Sequence, residues 1–140
     1  MDTEDLVERA RAAHSDAYAP YSGYPVGAAL LSADGTVYTG CNVENANYSN
    51  SLHAEEVALG GAVADGTRSF SALAVSSAAR DGVTPCGMCR QTLAEFCEAD
   101  FPVHCDEGEN DDVAAADVRT HRLGDLLPET ITAAHLGVEP

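Results

Sequence analysis

From residue 3 to about residue 18, Leu6, Val7, Ala10, Ala13 and Ala17 recur at the spacing of one helix face, with acids in the first turn. Pro20 ends this helix, and Tyr21-Ser22-Gly23 makes a turn. Two short apolar runs follow, over residues 26–31 and 37–41, and Asp34-Gly35 between them has the chemistry of a hairpin turn. Residues 42–51 are polar and rich in Asn and Ser, as suits a loop at a strand end. A second helix is expected from about residue 53 to 64, stopped by Asp65-Gly66. Residues 73–76 read as a buried strand, 79–85 as a loop, and 86–99 as a third helix with Pro85 just ahead of it. Strands over 103–105 and 118–122, with short helical pieces around Leu126 and Ile131, complete the chain. Helices alternate with strands after an opening hairpin, and neither a repeat nor a linker divides the sequence. The pattern implies an α/β fold in a single domain over residues 1–140: a three-layer α/β/α sandwich with a mixed five-stranded sheet.

Composition narrows the partners. Of 140 residues 45% are apolar, but only five Tyr and three Phe are aromatic, so elements should pack closely around small side chains. Twenty-three acids face seven arginines and no lysine, for a formal charge of −16. Such a surface repels nucleic-acid phosphate and anionic membrane, which argues against a polynucleotide partner. Disorder is a poor explanation of the acidity, because the apolar content is high and periodic. A surface suited to a salt-rich cytoplasm explains it better, since screening over a few ångströms removes self-repulsion. The N-terminal MDTEDLVERA shows no signal-peptide core, and no apolar run approaches the ~18 residues that span a bilayer. A soluble, cytoplasmic protein is expected. Cys86-x-x-Cys89 then reads as metal or redox chemistry rather than part of a disulfide framework. Cys41, Cys97 and Cys105 read as small buried hydrophobes. Residues 106–112 (DEGENDD) read as a solvated acidic loop.

Two segments carry the chemistry: His53-Ala54-Glu55 and Pro85-Cys86-Gly87-Met88-Cys89. Each lies at the start of an expected helix. Cys86 and Cys89 at i and i+3 project from one face, where free N–H groups and the positive dipole end favour thiolates. His53 would supply a third donor. Three N and S ligands leave one tetrahedral position open, the mark of a catalytic zinc rather than a structural one. Zinc in an open site lowers the pKa of water from 15.7 to around 7. Glu55, two residues from a ligand, can reach that water without competing for the metal, and would move its proton to the substrate and the leaving group. Taken alone, the C-x-x-C is also compatible with a redox pair, its runner-up reading, or with half of a structural zinc site. Asn42 and Asn45 read on their own as turn residues, Glu44 as a solvated loop acid, and Tyr24 and Tyr48 as half-buried aromatics.

The combination H-x-E…P-C-x-x-C is a signature of zinc nucleobase deaminases. From Tyr18-Ala19-Pro20-Tyr21-Ser22 to Leu126-Leu127-Pro128 the chain resembles the short, homotetrameric cytidine deaminases. Tyr24-Pro25-Val26-Gly27-Ala28-Ala29-Leu30 is similar to their first strand and Gly40-Cys41-Asn42-Val43-Glu44-Asn45-Ala46 to their nucleoside-binding segment. The resemblance implies a cytidine-deaminase-like fold and hydrolysis of cytidine and deoxycytidine to uridine and deoxyuridine plus ammonia, in pyrimidine salvage. It implies a Zn2+ cofactor on His53, Cys86 and Cys89, with Glu55 as proton shuttle. Asn42 and Glu44 would bind the ribose hydroxyls, the Ala54 N–H would meet the base carbonyl, and Tyr24 would lie beside the pyrimidine. Ala46 and Tyr48 lie where a neighbouring subunit closes the pocket, and a homotetramer follows. Three positions depart from the pattern: His53 where many short members have Cys, Glu56 where three-cysteine members often have Arg, and Ile131 where an intersubunit Phe is frequent. A relative acting on another aminated pyrimidine or on a nucleoside antibiotic would share the zinc site, although Asn42 and Glu44 favour a ribose-bearing substrate. A zinc-stabilised interaction module would need a fourth ligand, which the sequence does not offer.

Overall fold

A computed structural model describes residues 1–140. Helix α1 (Thr3–His14) opens on Asp2, whose Oδ1 accepts from the Asp5 N–H at 2.9 Å. Strands β1 (Val26–Ser32) and β2 (Val37–Cys41) form the expected hairpin, with Gly35 at a positive φ of 93°. Helix α2 (Ala54–Ala64), strand β3 (Phe70–Ser77), helix α3 (Gly87–Ala94), strand β4 (Pro102–Asp106), strand β5 (Val118–Arg122) and helix α4 (Leu123–Leu126) follow. The five strands form one sheet in the order β2-β1-β3-β4-β5. Only β3 and β4 are parallel, and α3 makes the crossover between them.

Side-chain alternation divides the two faces. Ala29, Ala72 and Ala74 face α1 and meet Leu6, Val7 and Ala10. Ala28, Leu30, Leu73, Val75 and Val103 face the other way, against Ala58, Leu59 and Ala62 of α2 and Leu93 of α3. Burying each Leu or Val contributes about 1.5–3 kcal/mol. Close packing around small residues is most evident at Gly40, where a Cβ would collide with the backbone of Ala54 and Ala58. Helix α2 therefore lies directly on β2, and its N-terminus is fixed against the sheet. No helix is long and apolar enough to cross a membrane.

Four expectations need correction. Helix α1 stops at His14, short of residue 18, because Tyr18 is extended: its N–H donates to Asn42 O and its carbonyl accepts from Glu44 N. Helix α3 starts after Cys86 and ends at Ala94 rather than residue 99: its last turn tightens, with Phe96 N donating to Leu93 O, and the chain beyond turns so that the Ala99 carbonyl accepts from Gly124 N. The stretch 106–112 is not uniformly solvated. Asp106 is fully buried and takes two hydrogen bonds from Arg11 (Nε 2.7 Å, Nη2 2.8 Å), one from the Ser76 hydroxyl (2.7 Å) and one from Gly108 N (3.0 Å). Arg11 also donates to the carbonyls of Gly108, Asn110 and Asp111, so the loop folds around a buried guanidinium. Among the other cysteines, Cys105 is buried, whereas Cys41 and Cys97 are half-buried. Burial pushes the Cys97 and Cys105 thiols up to about 12 and about 11.

Candidate active site

The N-termini of α2 and α3 bring the metal-ligating side chains together. His53 immediately precedes α2 and Cys86 immediately precedes α3, both in extended backbone; Cys89 lies one turn into α3. His53 Nδ1 is 3.2 Å from Cys86 Sγ and 3.3 Å from Cys89 Sγ, and the three donor atoms lie within 4.8 Å of one another. A tetrahedral zinc with Zn–S near 2.3 Å and Zn–N near 2.0 Å would separate N from S by about 3.6 Å. A shift of a few tenths of an ångström reaches that geometry, so the donor set fits zinc. Cys89 is buried, His53 half-buried and Cys86 exposed, which encloses the site on one side and opens it on the other. The imidazole touches both sulfurs, so the cysteines form a three-donor group rather than an isolated dithiol.

The flanking residues fix this group. The Glu56 carboxylate accepts from the His53 N–H at 2.6 Å, which pins the residue carrying the imidazole. Arg90, next to Cys89, donates to the carbonyls of Pro85 (2.6 Å) and Leu126 (2.8 Å) and to the Thr84 hydroxyl (3.1 Å). It thereby clamps the chain just ahead of Cys86. Sequence reasoning assigned no role to Arg90; its adjacency to Cys89 was the available signal.

Glu55, the second residue of α2, is 6% exposed. Burial raises its carboxyl pKa, opposed by a hydrogen bond with the Cys89 thiol. Burial, followed by the charge of Glu55, pushes the Cys89 thiol upward. A divalent cation offsets both costs, because it stabilises the thiolate and the carboxylate together. Ala54, the first residue of α2, is buried and carries one of the N–H groups that intrahelical bonding leaves free.

Tyr24, Asn42 and Glu44 belong to a second network, joined to the chain just ahead of His53 where Val43 pairs with Leu52. Asn42 Oδ1 accepts from Val26 N (2.8 Å), and its Nδ2 donates to Tyr24 O (3.0 Å). The Tyr24 hydroxyl lies 2.8 and 2.6 Å from the two carboxylate oxygens of Asp81, and burial followed by that carboxylate raises its pKa. Glu44 Oε1 accepts from Tyr21 N (2.9 Å) and Ser22 N (3.1 Å), and bonds from Ser22 and Tyr21 hold its carboxyl below the usual range. Its second oxygen takes no protein hydrogen bond. Tyr21, Ser22, Glu44, Tyr48 and Ser51 line a cavity of about 360 Å³. Ala46 and Tyr48 are exposed, and Tyr48 meets Tyr21 edge-on with ring centroids 5.8 Å apart. His53, Cys86 and Cys89 thus form one cluster with Glu55 beside Cys89, Tyr24 and Asn42 share a second network with Ser22 and Glu44, and Tyr48 lines the cavity next to Glu44. A larger cavity, about 710 Å³, lies under the C-terminal segment beside Phe96, Cys97 and Leu127, apart from these residues.

The model of the cytidine and deoxycytidylate deaminase zinc-binding region matches residues 1–105. A cytidine deaminase of Sporosarcina psychrophila is 53% identical over 104 residues, covering 74% of this chain and 76% of that one. One from Halalkalibacterium halodurans is 41% identical over 133 residues, covering 95% of this chain and 96% of that one. Among solved structures, a cytidine deaminase from Burkholderia pseudomallei superposes with a TM-score of 0.83 at 42% identity, covering 94% of this chain and all of that one. A cytidine deaminase from Mycobacterium tuberculosis gives 0.78 at 37% identity, with 94% and 98% covered.

Proposed function

The chain belongs to the cytidine and deoxycytidylate deaminase family, and on that premise we propose that it hydrolyses the 4-amino group of cytidine and deoxycytidine in pyrimidine salvage, releasing ammonia. The observation that carries the reading is the three-donor group of His53, Cys86 and Cys89 with the buried carboxyl of Glu55 beside Cys89. A zinc ion on those donors supplies Lewis acidity, which makes water acidic enough to react near neutral pH. Glu55 moves the protons. It accepts one from the attacking water and delivers it to the base at N3, then takes a second from the hydroxyl left on C4 and delivers it to the amine, so that the C4–N bond breaks as the C4 carbonyl forms.

The adjoining network recognises the nucleoside. Glu44 has a free oxygen for a ribose hydroxyl, and the Asn42 amide retains an unused N–H for a second. The free N–H of Ala54 donates to the base carbonyl, and the Tyr24 ring lies beside the pyrimidine. Tyr18, Tyr21, Val43, Tyr48 and Leu52 are all exposed around this segment, an apolar surface that supports burial in a homotetramer. In that assembly Ala46 and Tyr48 close a neighbour's pocket. A cytoplasmic location is supported by five cysteines that form no disulfide. The test is ammonia release by the zinc-loaded protein from cytidine, deoxycytidine, cytosine and CMP in parallel. Release from both nucleosides is expected; release from cytosine or CMP alone would overturn the reading.

A further inference from the structure

The sequence placed no functional weight on the loop between β3 and Cys86, yet it makes a specific contact with the nucleoside network. Ala78 N donates to Pro25 O at 3.0 Å and Val26 pairs with Ser77, so the start of β1 runs beside this loop. Pro25 restricts the Tyr24 backbone to extended conformations. That backbone is held further at its N–H by the Ser22 hydroxyl (3.0 Å) and at its carbonyl by Asn42 (3.0 Å). What these contacts leave free is the side chain. Asp81 takes it, with its two oxygens 2.8 and 2.6 Å from the phenol, and Asp81 is itself held by the Ser77 hydroxyl at 2.8 Å. Arg80, just before it, has a φ of 47°, a left-handed backbone that is uncommon outside glycine and persists where surroundings enforce it. The enforcing contacts include two hydrogen bonds from its guanidinium to the carbonyls of Glu109 and Asn110.

We propose that Asp81 is a positioning residue for substrate recognition, fixing the Tyr24 ring through its hydroxyl so that the base meets a preordered surface. This rests on the functional reading above, in which Tyr24 lies beside the pyrimidine. A charge-assisted phenol–carboxylate bond is stronger than a neutral one, and ordering the ring before binding removes that entropic cost from the binding step. The same loop leads directly to Pro85 and Cys86, so the contact also ties the base-binding edge to the metal-binding segment.

The test is a double-mutant cycle of zinc-loaded wild type, Tyr24→Phe, Asp81→Ala and the double variant, with Asp81→Asn as the conservative control. Each single change is expected to raise the KM for cytidine about three- to tenfold, the scale of ordering one side chain, with kcat within about twofold of wild type. The double variant should match Tyr24→Phe alone, because both remove one bond. Asp81→Asn should recover part of the KM, since its amide oxygen still accepts the phenol proton. Melting midpoints measured alongside separate a merely structural contact, which would lower stability and leave KM in place. An unmoved KM in Asp81→Ala, or KM effects that multiply in the double variant, would overturn the proposal while leaving the activity intact. A wild-type protein without turnover on cytidine would overturn both.

Discussion

At the level of single residues, Glu55 is the sharpest test of the chemistry. Replacing its carboxylate with an amide of the same shape removes the proton carrier and leaves His53, Cys86 and Cys89 in place. Glu55→Gln should therefore keep stoichiometric zinc and bind nucleoside, while kcat falls at least 10²- to 10⁴-fold, the usual contribution of a general acid–base group. Retention of a tenth of wild-type kcat would remove Glu55 from the mechanism. Glu56 acts differently, through the backbone. Its bond to the His53 N–H belongs to the capping class worth about 0.5–2 kcal/mol, and here it also steadies a ligand. Glu56→Ala should weaken zinc in chelator competition and lower the melting midpoint, and Glu56→Gln, which keeps an acceptor, should do less of both. Equal losses in the two variants would show that charge, not capping, is what Glu56 contributes. The ligands were legible because helix-initial His and Cys at fixed spacing have few other uses together. The contacts of Asn42, Arg90 and Asp81 were not, because each partner is set by tertiary folding.

At the level of elements, the Arg11–Asp106 pair fastens α1 to the end of β4 and shapes the loop beyond it. Burial alone would push the Asp106 carboxyl up, but bonds from Arg11, Ser76 and Gly108 together hold it below the usual range. A carboxyl depressed on folding contributes stability that is present above its unfolded value of about 3.9 and is lost as pH falls through its lower folded value. Acid unfolding below about pH 4 should thus draw partly on this group. Arg11→Ala leaves a buried carboxylate unpaired and should cost about 3–5 kcal/mol in urea unfolding, while adding Asp106→Asn should recover part of it. If Arg11→Ala alone cost less than 1 kcal/mol, the pair would not be fastening the loop. The five strands and the helix-strand alternation were readable from local pattern, because each apolar run has a face to bury. Element ends were less so: Tyr18 and Ala99 lie beyond the helices expected to include them, in backbone held by partners at Asn42, Glu44 and Gly124. The pairing of Arg11 with Asp106, 95 residues away, leaves no local trace in an acidic run.

At the level of the whole molecule, 23 acids meet only seven arginines. The structure pairs few of them: Arg11 with Asp106 inside, and Arg80 with Asp111 at 3.8 Å on the surface. Arg90 is committed to backbone carbonyls and a hydroxyl near the metal group. Most of the acidic excess is therefore left to the solvent to neutralise. Over the ~10 Å Debye length of 0.1 M salt, neighbouring carboxylates on one face still repel, and at 1 M the range shrinks to ~3 Å. Folding gathers these charges, and assembly into a tetramer would gather them further, so both should strengthen as salt rises. The melting midpoint is expected to climb between 0.1 and 2 M KCl, together with the fraction of the proposed tetramer in sedimentation. The form of the climb separates screening from solute exclusion. Screening is nearly complete once the Debye length falls below the spacing of charges, so the gain should flatten past about 1 M. Exclusion of salt from the protein surface would keep adding stability with concentration. A midpoint that does not move, or one that rises without flattening, would mean that self-repulsion does not limit the stability of this acidic surface.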